Sequence, residues 1–283
     1  HLFPYWDFSP GQPIDVRVCS NAPLVELFQD GRSLGKQKLE GGLVADWRLD
    51  YRPGVLTAAA YDESGTLLAE AERRSFSEAV SLRVRGEAYG QLHFMEIAAL
   101  DKDGHAVENA NRRIYVSVRG GTLLGLDNGD AADFEPYQTD NRRLFGGRLL
   151  AIVKAQPGET PELSASFCQE DIPIRKVELS ISGHTVTARI LPKNATYGDL
   201  VWRATDLRGI DSPLADLKVS ADGKSAELIP KGDGDVYVRC SPKNGRDHAA
   251  FISALPFTIA GKGRPFLDPY GFVSGGLYSQ SNV

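Results

Sequence analysis

The stretch "PIDVRVCSNAPLVELFQDGRSLGK", residues 13–36, decides the fold. Ile14, Val16 and Val18 alternate with Asp15 and Arg17. A period of two puts every second side chain on one face, the mark of a half-buried strand. The run "LVELFQ" then meets "RSLGK" across Asp30-Gly31. Asp-Gly between two such runs predicts a tight hairpin, because residues that tolerate positive φ are needed at the turn.

The pattern repeats outward. Trp47, Leu49 and Tyr51 alternate with charged residues, as do Ile114, Val116 and Val118 with polar ones. Val177, Leu179 and Ile181 are followed, after Ser182-Gly183, by Val186, Ala188 and Ile190; Val236, Val238 and Cys240 continue the series. Pro53-Gly54, Ser64-Gly65, Asp103-Gly104, Asn128-Gly129, Asp222-Gly223 and Asn244-Gly245 punctuate the runs as turns. The nearest approach to a helical period, residues 207–220, is interrupted by Pro213. Many short strands at even spacing predict an all-β chain of immunoglobulin-like β-sandwiches. Three tandem units fit 283 residues. They are expected at 1–76 (with an aromatic strap over 1–13), 77–171 and 172–260. Residues 261–283 read as a connector toward a further module.

Composition narrows the function. A net charge of -5 gives no pull toward nucleic acid or anionic membrane, and no stretch is apolar enough for a membrane span. Cys19, Cys168 and Cys240 are odd in number and far apart, which predicts buried thiols rather than a disulfide framework. The single methionine is Met95, so a processed start or a segment cut from a longer protein is expected. No P-loop, HExxH or GxSxG motif is present, and His1, His93, His105, His184 and His248 lack metal-ligand spacing. No catalytic residue and no cofactor is assigned. Asp127, Asn128 and Asp130 could offer oxygens to a hard cation, but the further ligands of a calcium loop are missing. A turn stitched by Asp and Asn side chains is the competing reading. Phe3, Tyr5, Trp6 and Phe8 crowd the first eight residues. They suit a sugar-stacking platform or packing against a neighbouring domain. Pro4, Pro10 and Pro13 stiffen the segment into an extended strap, which favours packing.

These residues also carry a resemblance. "HLFPYWDFSPGQPIDVRVCSNAPLVELFQDGRSLGKQ" (1–37) resembles the segment that follows the catalytic barrel in bacterial glycoside hydrolase family 2 enzymes of the β-galactosidase type. "WRLDYRPGVLTAAAYDESG" (47–65) is similar to the next block of that family. "ALDKDGHAVENANRRIYVSVRGGTLLGLDNGD" (99–130) and "LFGGRLLAIVKA" (144–155) resemble its following immunoglobulin-like domain. "VTARILPKNATYGDLVWRATD" (186–206) is similar to Ig-like domains of bacterial surface adhesins. The resemblance implies a non-catalytic C-terminal accessory region of a β-galactosidase-like glycosidase, inactive alone, because both catalytic glutamates would lie upstream. Its implied partners are the catalytic barrel and a further carbohydrate-binding module of the same parent chain, with carbohydrate itself a candidate ligand. The alternative is a stand-alone carbohydrate- or protein-binding array of adhesin type. The compartment stays open between the bacterial cytoplasm and an exported, cell-surface location.

Overall fold

The computed structural model describes residues 1–39, 41–245 and 249–263. The expected connector therefore lies outside the described residues from 264 onward, as does His248. The all-β expectation holds: every regular element among the described residues is a strand. The chain divides into two compact units.

The first unit comprises residues 1–8, 14–176 and 190–198. Its first seven strands are β1 (Leu2–Phe3), β2 (Pro13–Cys19), β3 (Leu24–Gln29), β4 (Arg32–Lys38), β5 (Val44–Asp50), β6 (Val55–Tyr61) and β7 (Leu67–Arg74). They form a three-stranded sheet, β1-β2-β5, and a four-stranded sheet, β4-β3-β6-β7. The alternation in residues 13–36 does what its period demands. Ile14, Val16 and Val18 of β2 enter the same core as Val25 and Leu27 of β3, while Asp15 and Arg17 face water. Arg17 and Arg48 pair outside with Asp46 and Asp15. At the hairpin, Gln29 pairs with Arg32, and Asp30 and Gly31 both take positive φ (50° and 79°).

The same unit continues with β8 (Ser81–Tyr89), β9 (Leu92–Leu100), β10 (Arg113–Arg119), β11 (Gly121–Asp127), β12 (Asn141–Arg143), β13 (Arg148–Ala155) and β14 (Glu162–Phe167). These make a four-stranded sheet, β11-β13-β9-β8, and a three-stranded sheet, β12-β10-β14. Their inner faces supply a second core with Ile97, Ile114, Leu126, Leu149 and Val153 fully buried. Each such side chain contributes roughly 1.5–3 kcal/mol by leaving water.

The second unit comprises residues 9–13, 177–189 and the described residues from 199 onward. Strands β15 (Lys176–Ser182), β16 (Thr185–Leu191), β17 (Leu200–Thr205), β18 (Ala215–Val219), β19 (Ser225–Pro230), β20 (Gly234–Pro242) and β21 (Ser253–Ile259) again give one four-stranded sheet, β15-β16-β19-β18, and one three-stranded sheet, β17-β20-β21. Ser9 belongs here: its hydroxyl accepts from the Leu179 amide at 2.9 Å. The stretch 207–220 contains β18 and turns. Cys168 and Cys240 are buried, Cys19 partly so, and all three thiols are free. Burial pushes the Cys240 thiol up to about 12.

Candidate functional site

The aromatic strap is the first candidate, and the fold treats its four rings differently. Leu2 and Phe3 pair with Val18 and Arg17 of β2, so Leu2 turns into the core and Phe3 turns out, 49% exposed. Trp6 is completely buried. Its indole N–H donates to the Arg52 carbonyl at 3.0 Å, and its ring meets Tyr51 edge-on at 5.1 Å. Phe8 packs on the same core. Tyr5 stacks on Phe8 at 4.9 Å and reaches Phe76 of the second core at 6.3 Å. The strap thus runs between both cores of the first unit. Trp6 offers no face for a ligand, and Phe3 is the ring that faces outward.

Charge fixes the strap at Asp7. Its carboxylate accepts from Arg175 Nη1 at 2.6 Å and from Lys176 Nζ at 2.6 Å, with all three side chains under 10% exposed. Arg175 also forks onto Glu78 at 2.6 and 2.9 Å and donates to Asn109 at 3.1 Å. Burial alone would lower the Arg175 pKa, but Glu78 and Asp7 outweigh it and hold it raised. The Tyr5 hydroxyl is pushed up to about 12, by burial first and by Asp7 second. No local sequence signal pairs Asp7 with Arg175, 168 residues away.

Asp127, Asn128 and Asp130 share one loop, and backbone amides engage an oxygen of each. Asp127 accepts from the Gly129 amide at 2.8 Å, Asn128 from Asp130 at 3.0 Å, and Asp130 from Ala132 at 3.0 Å. The Asn128 amide group donates to Asp133 and to the Arg143 carbonyl. Asp133 is itself ion-paired to the buried Arg142 at 3.0 Å. The loop is stitched by its own side chains. A second acidic group, Asp101, Asp103 and His105, brings its ligand atoms within 4.8 Å of one another. Sequence reasoning passes over this group, reading Asp103-Gly104 as a turn and His105 as lacking metal-ligand spacing, although the Asp-x-Asp-x-His spacing is a local signal. Here too the oxygens have occupants: Asp101 accepts from the amides of Asp103, His105 and Ser77 at 2.9–3.0 Å. His105 Nε2 faces Arg74 at 3.0 Å.

The first unit has several clefts; in the one lined by Trp47, Asp15 and Asp46 are both ion-paired to arginine, and two others bring carboxylates beside polar groups. One, of about 740 Å³, holds Asp62 and Glu63 beside Asn21 and Leu43. Asp62 Oδ1 accepts from the Ser64 and Thr66 amides at 2.9 and 2.8 Å, closing a turn. The other, of about 400 Å³, places Glu78 near Asn111, Arg112 and Lys193. Neither cleft holds two carboxylates free for acid and base roles on opposite sides of a glycosidic bond.

Residues 83–167 match the family described as glycoside hydrolase family 2 C-terminal domain 5, and residues 11–69 match a domain of unknown function, DUF4982. The chain is 33% identical over 170 residues to a β-galactosidase of Bacteroides ovatus, which covers 56% of this chain and 20% of that protein. A crystal structure of a β-glycosidase from Bacteroides vulgatus is similar at 25% identity and a TM-score of 0.55, covering 67% of this chain and 24% of its own. A glycoside hydrolase family 2 member from Bacteroides cellulosilyticus shares the fold at 24% identity and a TM-score of 0.52, over 58% of this chain and 24% of its own. The chain spans about a fifth of the length of the curated relative.

Proposed function

Because the chain is a C-terminal region of the glycoside hydrolase family 2 type, we propose that it braces and spaces the catalytic barrel of a β-galactosidase-like parent and performs no hydrolysis itself. In this reading it folds as three tandem immunoglobulin-like sandwiches, 1–76, 77–171 and 172–260. The barrel precedes residue 1 and a further carbohydrate-binding module follows. The parent removes terminal β-galactosyl units.

The seating of residues 1–8 carries the proposal. A flexible linker transmits no position. A strap with Trp6 buried and Asp7 clamped by Arg175 and Lys176 gives whatever precedes it a fixed exit point. Phe3, outward on its strand pair, is the ring placed to touch the barrel, while Tyr5, Trp6 and Phe8 hold the strap behind it.

The test is hydrolysis of a chromogenic β-galactoside by three proteins: this chain, the parent, and the parent lacking residues 1–283. The expected result is no turnover by the chain, turnover by the parent, and a truncated parent that is slower or melts earlier. A truncated parent with unchanged rate and melting temperature overturns the bracing role.

A further inference from the structure

The cleft of about 400 Å³ in the first unit has a lining that the backbone holds in place. Two chain segments, 172–175 and 191–194, contribute most of it. The Arg175 amide donates to the Leu191 carbonyl at 2.9 Å, and the Thr196 amide to the Ile172 carbonyl at 2.8 Å, so the two segments are stapled together. The Ile172 amide donates back to the Thr196 hydroxyl at 3.0 Å. Asn111 Nδ2 donates to the Ile174 carbonyl at 3.0 Å, which ties Asn111 to the same frame. A cleft fixed in this way loses little binding energy to ordering when it takes up a ligand.

The charges around it do not cancel. The strap clamp balances itself, with Asp7 and Glu78 set against Arg175 and Lys176. Arg112 and Lys193 also line the cleft, and neither has a carboxylate partner among the described residues. By contrast Arg113, Arg143 and Arg175 each hold one. Arg112 is nonetheless fixed. Its Nε donates to the Cys168 carbonyl at 2.9 Å, its Nη2 donates to Gln169 at 2.9 Å, and its guanidinium lies over the Phe167 ring at 4.7 Å. Nη1 donates to no described residue. Burial lowers the Arg112 pKa, and only Cys168 opposes it. A half-buried guanidinium that is already oriented and has no carboxylate of its own is pre-organised to bind an anion. In a chain of net charge -5, this cleft carries a local surplus of positive charge.

The rest of the lining says which anion fits. Ile172, Pro173, Leu191 and Pro192 present carbon to a ligand. A bare inorganic ion would leave that surface in water, whereas a carbon skeleton would cover it. Two acceptors stand among these groups. Asn111 Oδ1 accepts from no described residue. Glu78 would repel an anion on its own, but Arg175 takes both its oxygens, at 2.6 and 2.9 Å, and the side chain remains 38% exposed. Acceptors beside two cations match a ligand that carries hydroxyl groups as well as a carboxylate. The volume lies in the small-molecule range of roughly 300–1,000 Å³.

We propose that this cleft binds a small hydroxylated carboxylate of the sugar-acid class, with the carboxylate on Arg112 and Lys193, hydroxyls on Asn111 and Glu78, and the carbon skeleton against Ile172, Pro173, Leu191 and Pro192. The proposal does not rest on the bracing role, and its test uses this chain alone. The experiment is isothermal titration calorimetry of the intact 283-residue chain with sodium glucuronate, sodium galacturonate, galactose and sodium phosphate. At least one of the two uronates is expected to bind saturably, and at least tenfold more tightly than galactose or phosphate. Lys193→Glu should weaken uronate binding at least tenfold at an unchanged melting temperature, because Lys193 is exposed and has no carboxylate partner to lose. Lys154→Glu makes the same charge change at an exposed lysine of the same unit that does not line the cleft, and it should bind like wild type. The absence of saturable binding by either uronate overturns the proposal, and so does a Lys193→Glu variant that binds like wild type. Phosphate bound as tightly as uronate would make this an unselective anion site, and galactose bound as tightly would make the charges irrelevant; either result sinks the sugar-acid assignment. Equal weakening by Lys154→Glu and Lys193→Glu would reduce the effect to the overall field of the protein and overturn the site as well.

Discussion

At the scale of single residues, burial decides what an aromatic or a charge can do. Trp6 is engaged on every side, so it acts as a structural anchor. Trp6→Ala should destabilise the first unit by about 3–5 kcal/mol in urea unfolding, the usual penalty for emptying a large buried site. A loss below about 1 kcal/mol would mean the ring is not packed as described. Asp133 illustrates charge. Burial alone would raise its pKa, but the Glu135 amide, Asn128 and Arg142 outweigh burial and hold it below the usual carboxylate value. A depressed folded pKa stabilises fully above the unfolded value of about 3.9 and loses that contribution as pH falls through the folded one. Wild type should therefore exceed Asp133→Asn in stability at pH 7, with the gap closing as pH falls below the ordinary carboxylate value of about 3.9. Denaturant titrations across that range measure it, and a gap independent of pH contradicts the assignment.

At the scale of elements, turn geometry sets where strands can start. Gly147, just before β13, has φ +74° and its missing Cβ would fall 2.2 Å from the Val107 carbonyl oxygen. The backbone there is closed by the Gly147 amide donating to the Ala110 carbonyl at 2.9 Å. Gly158 has a similar φ, +81°, with open space around it. Gly158→Ala should lose only the left-handed strain, about 1–2 kcal/mol. Gly147→Ala adds a steric clash with backbone and should lose clearly more, shifting the entry to β13. Side-by-side thermal melts of the two variants test this, and equal losses would sink the close approach.

At the scale of the whole chain, the two compact units predict more than one unfolding event. Val238 is fully buried in the second unit and Trp6 in the first. In differential scanning calorimetry, Val238→Ala should lower one transition and Trp6→Ala the other. One cooperative transition lowered by either substitution would show that the units unfold together.

Much of this was already legible in residues 13–36 and their echoes. Period-two alternation and positive-φ turn pairs are local signals, so strands, hairpins and inward faces follow from sequence alone. The family resemblance is likewise carried by contiguous motifs such as 18–35 and 99–130. What neighbours what across the sheets was not legible. Asp7 meeting Arg175, Tyr137 lying on Gly125, and Trp6 vanishing into the core that Tyr51 lines are decided by which strands become adjacent. The aromatics of 1–8 announced burial or stacking equally well, because a ring has the same apolar area in either role. Sequence by itself determined the strands and their faces, since those depend on a residue's immediate neighbours. Only the tertiary structure decided which rings stay in water and which charges lose it, since both depend on contacts between residues far apart in the chain.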